Sequence, residues 1–204
     1  DQMLFYLPLS GSTFKKVYYD ALLGRAVSKF VPADDLIVPY SANSLEDAEA
    51  VIQVIKISEN ELRKQQVSGF YRDIELGDPP VIENQLKETE LRLEGIAKDG
   101  QEDQYTLYEI HTDLDLEGYE DRDADGEETG IKLPYVITVA QSNQKILSIR
   151  RNYRPEEKLR KKINYFVQFK FLPGTGFYGF GLIHMIGGLT RTATAALRQL
   201  LDAG

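Results

Sequence analysis

The sequence of 204 residues contains no cysteine and only two histidines. Without cysteine, the chain has no disulfide, no thiolate zinc site, no iron–sulfur cluster and no cysteine nucleophile. Glycine (16 residues) and proline (8 residues) occur at ordinary levels, which excludes collagen-like and low-complexity classes. No signal-peptide pattern opens the chain. The hydrophobic fraction of 42% is sufficient for one large or two small globular domains.

The sequence also contains few residues that could perform catalysis. The local patterns place His111 on a strand face and His184 among apolar neighbours at the start of a helix, so both are expected to be structural. No nucleophile elbow or paired-histidine metal motif is present. The many carboxylates lie in a polar segment, without the apolar surroundings that raise a pKa. We therefore expect no catalytic residue, no metal site, no cofactor and no enzymatic activity.

The charge is unevenly distributed along the chain. Residues 1–82 carry 12 acidic and 8 basic side chains, residues 83–130 carry 17 and 4, and residues 131–204 carry 3 and 12. The net charges of these segments are −4, −13 and +9, against −8 for the whole chain. The basic-patch candidates are Arg150, Arg151, Arg154 and Lys158. A solvated face beside the acidic segment is one interpretation, and a contact with a polyanion is the other.

Alternating and apolar patterns predict an α+β fold of mainly antiparallel sheet with short helices and a C-terminal helix. The predicted strands cover residues 3–9, 13–19, 26–31, 36–38, 51–57, 104–116, 131–140, 145–151 and 163–172. Helices are predicted over residues 59–67, over 81–96, and from 182 or 185 to 202. Ser58 and Glu61 form a capping box for the first helix, which Gly69 ends. In the strand over 104–116, one face is expected to hold Tyr105, Leu107, Glu109 and His111.

Residues 121–126 copy the first half of a calcium-binding EF-hand loop. Such a loop requires a bidentate carboxylate at its twelfth position, where this sequence has Lys132. No helix is expected after that position. An acidic hairpin loop is the favoured interpretation, and weak calcium binding is the lesser one.

Residues 174–179 match the G-x-G-x-x-G string of dinucleotide-binding loops. Phe177 and Tyr178 stand where the backbone would approach a pyrophosphate, and no second parallel strand follows in this sequence. A glycine-rich turn is therefore the favoured interpretation. A nucleotide-dependent transferase that uses this string is the least favoured function.

Residues 171–190 carry no formal charge and have the length of a membrane span. They include Pro173 and six glycines, so a spanning helix is not expected. The composition instead favours a glycine-rich approach to a packed helix.

The C-terminal helix is the most informative predicted element. An apolar stripe at helical spacing consists of Leu189, Ala193, Ala196, Leu197, Leu200 and Leu201. Arg191, Thr194, Arg198 and Asp202 lie toward the opposite side. Small residues fill the first half of the helix and allow close approach of another backbone. Packing in a core and packing against a helix of another copy both remain open.

Several stretches resemble the portal (head-to-tail connector) proteins of tailed bacteriophages and prophages. The longest is YFVQFKFLPGTGFYGFGLIHMIGGL at 165–189, and it continues to residue 204. The others are FKKVYYD at 14–20 with FVPADDLIVPY at 30–40, SENELRK at 58–64 with GFYR at 69–72, and the hairpin that contains PYVITV at 134–139 and ILSIRR at 146–151. The likeness spans nearly the whole chain.

The resemblance implies a non-enzymatic ring, typically of twelve subunits, at one vertex of the capsid. Double-stranded DNA would pass through its channel without sequence specificity. The implied partners are other copies of the chain, the terminase large subunit, and head–tail adaptor and scaffold proteins, with no membrane. The protein would be found in the virion, and in the bacterial host cytoplasm during assembly.

The same resemblance makes the chain a portal fragment. Residues 1–180 would form an α+β wing-type domain, and residues 181–204 a stem-type helix that ends before the clip. The candidates for subunit-interface or channel contacts are Arg191, Thr194, Arg198, Phe177 and Tyr178. The opposite charges of the middle and the end of the chain suit contacts between different surfaces of neighbouring copies. The alternative is a non-enzymatic α+β protein-binding adaptor module of a phage or prophage.

Overall fold

The structure is a computed structural model that describes residues 1–20, 23–77, 104–123 and 125–203. The chain forms two compact units. The first contains Asp1–Val51 and Ile163–Gly204, and the second contains Ile52–Lys162. The middle of the chain is therefore inserted into a unit that is made from the two ends.

The described elements are eight strands, two short helices, one 3₁₀ turn and a long C-terminal helix. In chain order they are α1 (Gln2–Ser10), β1 (Ser12–Asp20), β2 (Arg25–Pro32), a single 3₁₀ turn (Ala33–Asp35), β3 (Leu36–Ile37), β4 (Ala50–Ser58), α2 (Glu59–Val67), β5 (Gln104–Leu114), β6 (Leu133–Ala140), β7 (Ile146–Arg151), β8 (Phe166–Lys170) and α3 (Leu182–Ala203).

The first unit is organised around a three-stranded antiparallel sheet with the order β2-β1-β8. Phe14 of the central strand lies opposite Val31 on one side and Gln168 on the other. Because Phe14 is fully buried, it anchors the core of this unit. The buried members of that core are Phe14, Val31, Leu36, Ala42, Ala48, Val51, Phe166 and Phe177.

In the second unit, β4, β5, β6 and β7 are neighbours in that order, and the last three pair antiparallel. The ladder between β6 and β7 is irregular, because Thr138 pairs with Ser148 and Val139 with Ile146, which leaves Leu147 as an extra residue. Leu147 and Ser148 are consequently both buried although they are adjacent in the strand. One core contains Leu62, Tyr71, Leu76, Tyr105, Leu107, Ala140 and Leu147, and a smaller one contains Leu133, Tyr135 and Tyr153.

The α+β fold class is confirmed, and most predicted strands lie within a residue or two of the observed ones. The strand predicted over 163–172 is shorter than expected, since β8 covers only five residues. Helix α2 has the predicted bounds: the Ser58 hydroxyl accepts a hydrogen bond from the Glu61 amide at 3.4 Å, and Gly69 follows with φ of +76°. The helix predicted over 81–96 lies outside the described residues.

The strand predicted over residues 3–9 is wrong, because this segment forms α1. A short run that is apolar throughout has no periodicity to distinguish a strand from a helix. The helix ends at Gly11, which adopts φ of +86° and donates its amide hydrogen to the Leu7 carbonyl at 3.0 Å. The Ser10 hydroxyl also donates to the Tyr6 carbonyl at 2.8 Å. These local bonds end the helix and direct the chain into β1.

Candidate functional site

Helix α3 is the largest exposed element of the first unit. Its 22 residues correspond to a length of about 33 Å. Every residue from Leu182 to Ala203 is exposed, so the helix is not buried in a core formed by the described residues. The predicted stripe of apolar residues lies on one face of a real helix, and its large members Leu189, Leu197, Leu200 and Leu201 are 62–80% exposed.

Three threonine hydroxyls of α3 are bonded within the helix itself. The hydroxyls of Thr190, Thr192 and Thr194 donate hydrogen bonds to the carbonyls four residues earlier, at 2.8–3.1 Å. Such bonds hold a hydroxyl against its own helix, so it does not extend toward solvent. The middle of α3 is therefore a smooth surface of small side chains, on which Thr194 is one of the predicted interface candidates. Arg191 and Arg198 are also exposed there.

Three glycines join α3 to the rest of the first unit. A Cβ atom added to Gly11, Gly179 or Gly181 would lie within 3.0 Å of backbone atoms, chiefly those of the other two glycines and their neighbours. The Gly179 amide donates a hydrogen bond of 2.7 Å to the hydroxyl of buried Ser12, and the Gly11 carbonyl accepts one from the Phe171 amide at 3.0 Å. We call Gly11, Gly179 and Gly181 the glycine joint. It brings the end of α1 into direct backbone contact with the residues that precede α3.

The G-x-G-x-x-G string is a turn, as predicted, and α3 begins after it. Phe177 is buried and its ring stacks on that of Phe14, with centroids 5.8 Å apart. Tyr178 is half exposed, and its hydroxyl donates to the Leu36 carbonyl at 3.2 Å. Burial raises the pKa of Tyr178, with a smaller contribution from the charge of Asp34. Of these two interface or channel candidates, only Tyr178 therefore has a side chain at the surface.

The basic-patch candidates do not form one group. Arg150 and Arg151 are consecutive residues of β7 and lie on opposite faces of the sheet. The guanidinium of Arg150 stacks 4.0 Å from the ring centroid of Phe70, whereas that of Arg151 lies 6.0 Å from the centroid of Tyr119. Arg154 is exposed and lies 3.9 Å from Glu157, and Lys158 is exposed in the same connection. The strand period of two could have indicated this separation from the sequence.

The sheet face that carries Arg150 in the second unit also holds a cluster of buried polar side chains. Glu109 Oε1 lies 2.7 Å from His111 Nε2, and both side chains are less than a tenth exposed. The expected face of β5 is thereby confirmed. The Ser148 hydroxyl donates to Thr138 Oγ1 at 3.2 Å beside them. Burial raises the pKa of the neighbouring Tyr71 to about 12, and the charge of Glu109 adds to the effect.

The sheet face that carries Arg151 borders a surface cleft of about 360 Å³. Its walls are formed by Gly118, Tyr119, Glu120, Asp121, Arg122, Leu133, Arg151, Tyr153 and Arg160. Arg160 Nε lies 3.1 Å from Asp121 Oδ1, and the Arg160 guanidinium lies 5.5 Å from the ring centroid of Tyr153. Basic and acidic segments of the chain therefore meet inside the second unit, and part of the opposite charge is neutralised there.

Residues 121–126, which match the first half of an EF-hand loop, form a tight acidic loop. Asp123 Oδ1 accepts the amide hydrogens of Asp125 and Glu127, each at 3.0 Å, and Arg122 pairs with Glu128 at 3.0 Å. The carboxylate of Asp123 is thus engaged by the backbone of its own loop. Among the described residues, no group of three or more side chains has the arrangement of a metal site. In the same ranges, no helix has the length and apolar character required to cross a membrane.

These features define an α+β protein with a long exposed helix that carries an apolar stripe and is attached through a glycine joint. The family model of the phage SU10 portal protein matches residues 16–203, and the chain belongs to this family. Membership gives the chain a phage portal role and implies a virion component that associates with the capsid in an oligomeric ring. No curated protein matches the chain.

Proposed function

We propose that the chain is the part of a portal subunit that builds the ring wall and contributes a helix to the DNA channel. In this ring, twelve copies of the same chain lie side by side, and double-stranded DNA passes through the centre during packaging and ejection. The ring has no chemistry of its own. Residues 1–180 form the wing-type domain and residues 181–204 the stem-type helix.

The observation that carries this proposal is the exposure of α3. Large apolar side chains on its surface, including Leu189, Leu197, Leu200 and Leu201, remain 62–80% exposed to solvent. Contiguous exposed apolar surface of this kind marks an interaction site. The small residues and inward-bonded threonine hydroxyls beside the stripe permit close approach of a second helix. A neighbouring copy of α3 satisfies both features.

The opposite side of α3 suits a channel that DNA slides through. It carries Arg191, Thr194, Arg198 and the acidic Asp202. Each phosphate that is neutralised adds affinity and therefore resists sliding, so a sparse basic surface is expected in a conduit. We assign Arg191, Thr194 and Arg198 to contacts with DNA or with the adjacent subunit. The terminase large subunit and the head–tail adaptor and scaffold proteins are proposed to dock on the assembled ring.

The test is electron microscopy of the full-length gene product that contains this chain, at near-physiological salt. Closed rings with a central hole are expected for the wild type. The double variant Leu197→Asp/Leu200→Asp should lose the rings, because charges are then buried at the helix contact. Gln199→Asp is the matched control, since it adds a charge at an exposed position of the same helix that belongs neither to the apolar stripe nor to the residues assigned to contacts, and it should leave the rings intact.

Two outcomes would contradict the proposal. A wild-type product that stays monomeric or dimeric at all concentrations would favour the protein-binding adaptor module. Rings that tolerate the double aspartate variant would show that the apolar stripe of α3 does not hold the subunits together. Circular dichroism of each variant separates loss of assembly from loss of folding, because the substituted side chains are exposed in the chain.

A further inference from the structure

Helix α1 exposes large apolar side chains. Its nine residues, Gln2–Ser10, carry no charge, and none of them is buried. Leu4 and Phe5 are 72% and 68% exposed. A helix that is apolar around most of its surface has no polar face to present to water, so such a helix is normally covered. We therefore expect a partner to cover Leu4 and Phe5 in the assembled protein.

One side of α1 already packs on the first unit. The ring centroid of Tyr6 lies 5.6 Å from that of Phe30 in β2. The Phe5 ring meets the edge of Tyr6, with centroids 5.7 Å apart. This packing holds α1 against the sheet and still leaves Leu4 and Phe5 largely exposed. The exposed side of α1 is therefore a surface with a defined position on the first unit.

The apolar stripe of α3 extends to the end of α1. The helical spacing of the stripe continues to the first turn of α3 through Ile186, Met185 and Leu182, which are 39–55% exposed. At the glycine joint, a Cβ atom added to Gly181 would lie within 3.0 Å of the Leu9 carbonyl oxygen. Because Gly181 directly precedes Leu182, the stripe and α1 meet at the joint.

The two segments that meet there are both uncharged. Residues 2–14 contain no aspartate, glutamate, lysine or arginine, and neither do residues 171–190. The buried centre of a protein–protein interface is depleted in charged residues and enriched in aromatic side chains and methionine. Exposed Phe5 and Met185 fit this composition. The surface around the joint therefore has the composition of an interface with another protein chain.

The stripe of α3 is too small to form a stable interface by itself. Specific interfaces involve about 20–30 residues on each partner and bury about 800 Å² of each. One face of a helix of 22 residues contains about half of them at most. The contact must therefore extend beyond α3, and the uncharged surface that adjoins the stripe at the joint belongs to α1.

We propose that the exposed side of α1, with Leu4 and Phe5, is part of the subunit interface and is covered by the neighbouring copy of this chain in the ring. This inference rests on the function proposed above, because the neighbour is the copy that α3 contacts. In a ring of more than two copies, each contact joins two different surfaces. Leu4 and Phe5 therefore meet a surface of the neighbour other than its own α1.

The first experiment compares electron micrographs of the full-length gene product that contains this chain with those of its Leu4→Asp/Phe5→Asp variant. The wild type should form rings, and the variant should lose them, because charges are then buried at the contact. Val67→Asp/Leu159→Asp is the matched control, since these apolar residues of the second unit are 76–77% exposed. The control should retain the rings. Circular dichroism and thermal unfolding show whether each variant is folded.

The second experiment detects the contact directly. Phe5→p-benzoylphenylalanine introduces a photoreactive side chain that forms a covalent bond with a neighbouring C–H group. Irradiated rings should give covalent dimers on a denaturing gel, and mass spectrometry should locate the bond between two copies. Leu159→p-benzoylphenylalanine, in the second unit, is the control and should give monomers. If the aspartate variant does not fold, the cross-link decides alone.

The outcomes separate this inference from the proposed function. A wild type without rings contradicts the proposed function and the α1 contact together. Rings in both the wild type and Leu4→Asp/Phe5→Asp, or an equal loss of rings in that variant and in the control, would overturn the α1 contact alone. Assembled rings that give no cross-link from position 5, a cross-link within one copy, or equal dimer yields at positions 5 and 159 would overturn it as well.

Discussion

The backbone amide of Gly179 donates a hydrogen bond of 2.7 Å to the hydroxyl of Ser12, which lies 167 positions earlier in the chain. This bond connects the first residue of β1 with the turn before α3. Both groups are buried, so neither has water as an alternative partner. The relationship ties the position of the exposed helix to the sheet of the first unit.

Replacement of Ser12 by alanine should leave the Gly179 amide buried without a partner. A buried donor that loses its acceptor costs about 1–3 kcal/mol. We expect Ser12→Ala to lower the free energy of unfolding by that amount in a urea titration. Ser28→Ala is the control, because Ser28 is exposed in β2, and such surface substitutions change stability by about 0.5 kcal/mol or less. Equal stabilities of the two variants would show that the bond contributes nothing.

The glycine joint makes a similar prediction about steric fit. A Cβ atom at position 179 would lie within 3.0 Å of the carbonyl oxygens of Leu172 and Gly11. Overpacking against backbone costs about 1–3 kcal/mol, so Gly179→Ala should lower the midpoint of thermal unfolding by several degrees. Gly176 belongs to the same turn but has nothing within 4 Å of an added Cβ. Gly176→Ala should therefore unfold at or above the wild-type temperature, and a loss as large as that of Gly179→Ala would refute the steric argument.

Alanine substitutions at Gly187 and Gly188 should affect the stability of α3 and the assembly of rings in opposite directions. An added Cβ at either position meets nothing within 4 Å in this chain. Alanine favours helix by about 0.8–1.0 kcal/mol over glycine, so Gly187→Ala and Gly188→Ala should stabilise α3 in the isolated chain. If the small residues admit a neighbouring helix, the same substitutions should reduce ring formation in electron micrographs. Rings that form as well as the wild type would show that close approach does not involve these two positions.

Ionisation of Tyr71 should make the free energy of unfolding depend on pH in the alkaline range. Burial, with the charge of Glu109 as a second cause, raises the pKa of Tyr71 to about 12 in the folded chain, from about 10 when unfolded. Stability should therefore be fully present below pH 10 and decline as the pH rises toward 12, because the unfolded chain loses its proton first. The total decline corresponds to about 2–3 kcal/mol.

The measurement is the free energy of unfolding of the wild type, Tyr71→Phe and Tyr40→Phe between pH 8 and 12. Tyr71→Phe should have a flatter pH profile than the wild type. Tyr40 is fully exposed, so Tyr40→Phe should retain the wild-type profile. Parallel profiles for all three proteins would show that Tyr71 does not ionise at a different pH on unfolding.

The sequence predicted the elements that carry strong local signals. The strands β6 and β7 alternate and contain β-branched residues, and the Ser58–Glu61 capping pair gave the bounds of α2. Helix α1 was missed because its run of apolar residues has no period and lies exposed on the first unit, so neither pattern nor burial distinguishes it. The Gly11 cap that ends it was a usable signal.

The site residues were harder to predict, because their roles depend on distant contacts. The partner of Gly179 in the glycine joint is Gly11, and no local pattern relates them. The cleft likewise depends on Arg160, whose left-handed backbone brings its side chain to Asp121. By contrast, the exposed stripe of α3 follows from helical spacing alone, although the sequence could not show that nothing in the described chain covers it.

The glycine joint also has a mechanical consequence. Among the described residues, the close backbone contacts of the glycine joint lie just before the first residue of helix α3, so the helix can act as a lever of about 33 Å. A tilt of one degree at the joint displaces the far end by about 0.6 Å for that length. Because the contacts of the joint are between backbone atoms, we expect substitutions of exposed side chains along α3 to leave the direction of the helix unaltered. The alignment of Leu200 and Leu201 with any neighbour is thus set at Gly11, Gly179 and Gly181, near the other end of the helix.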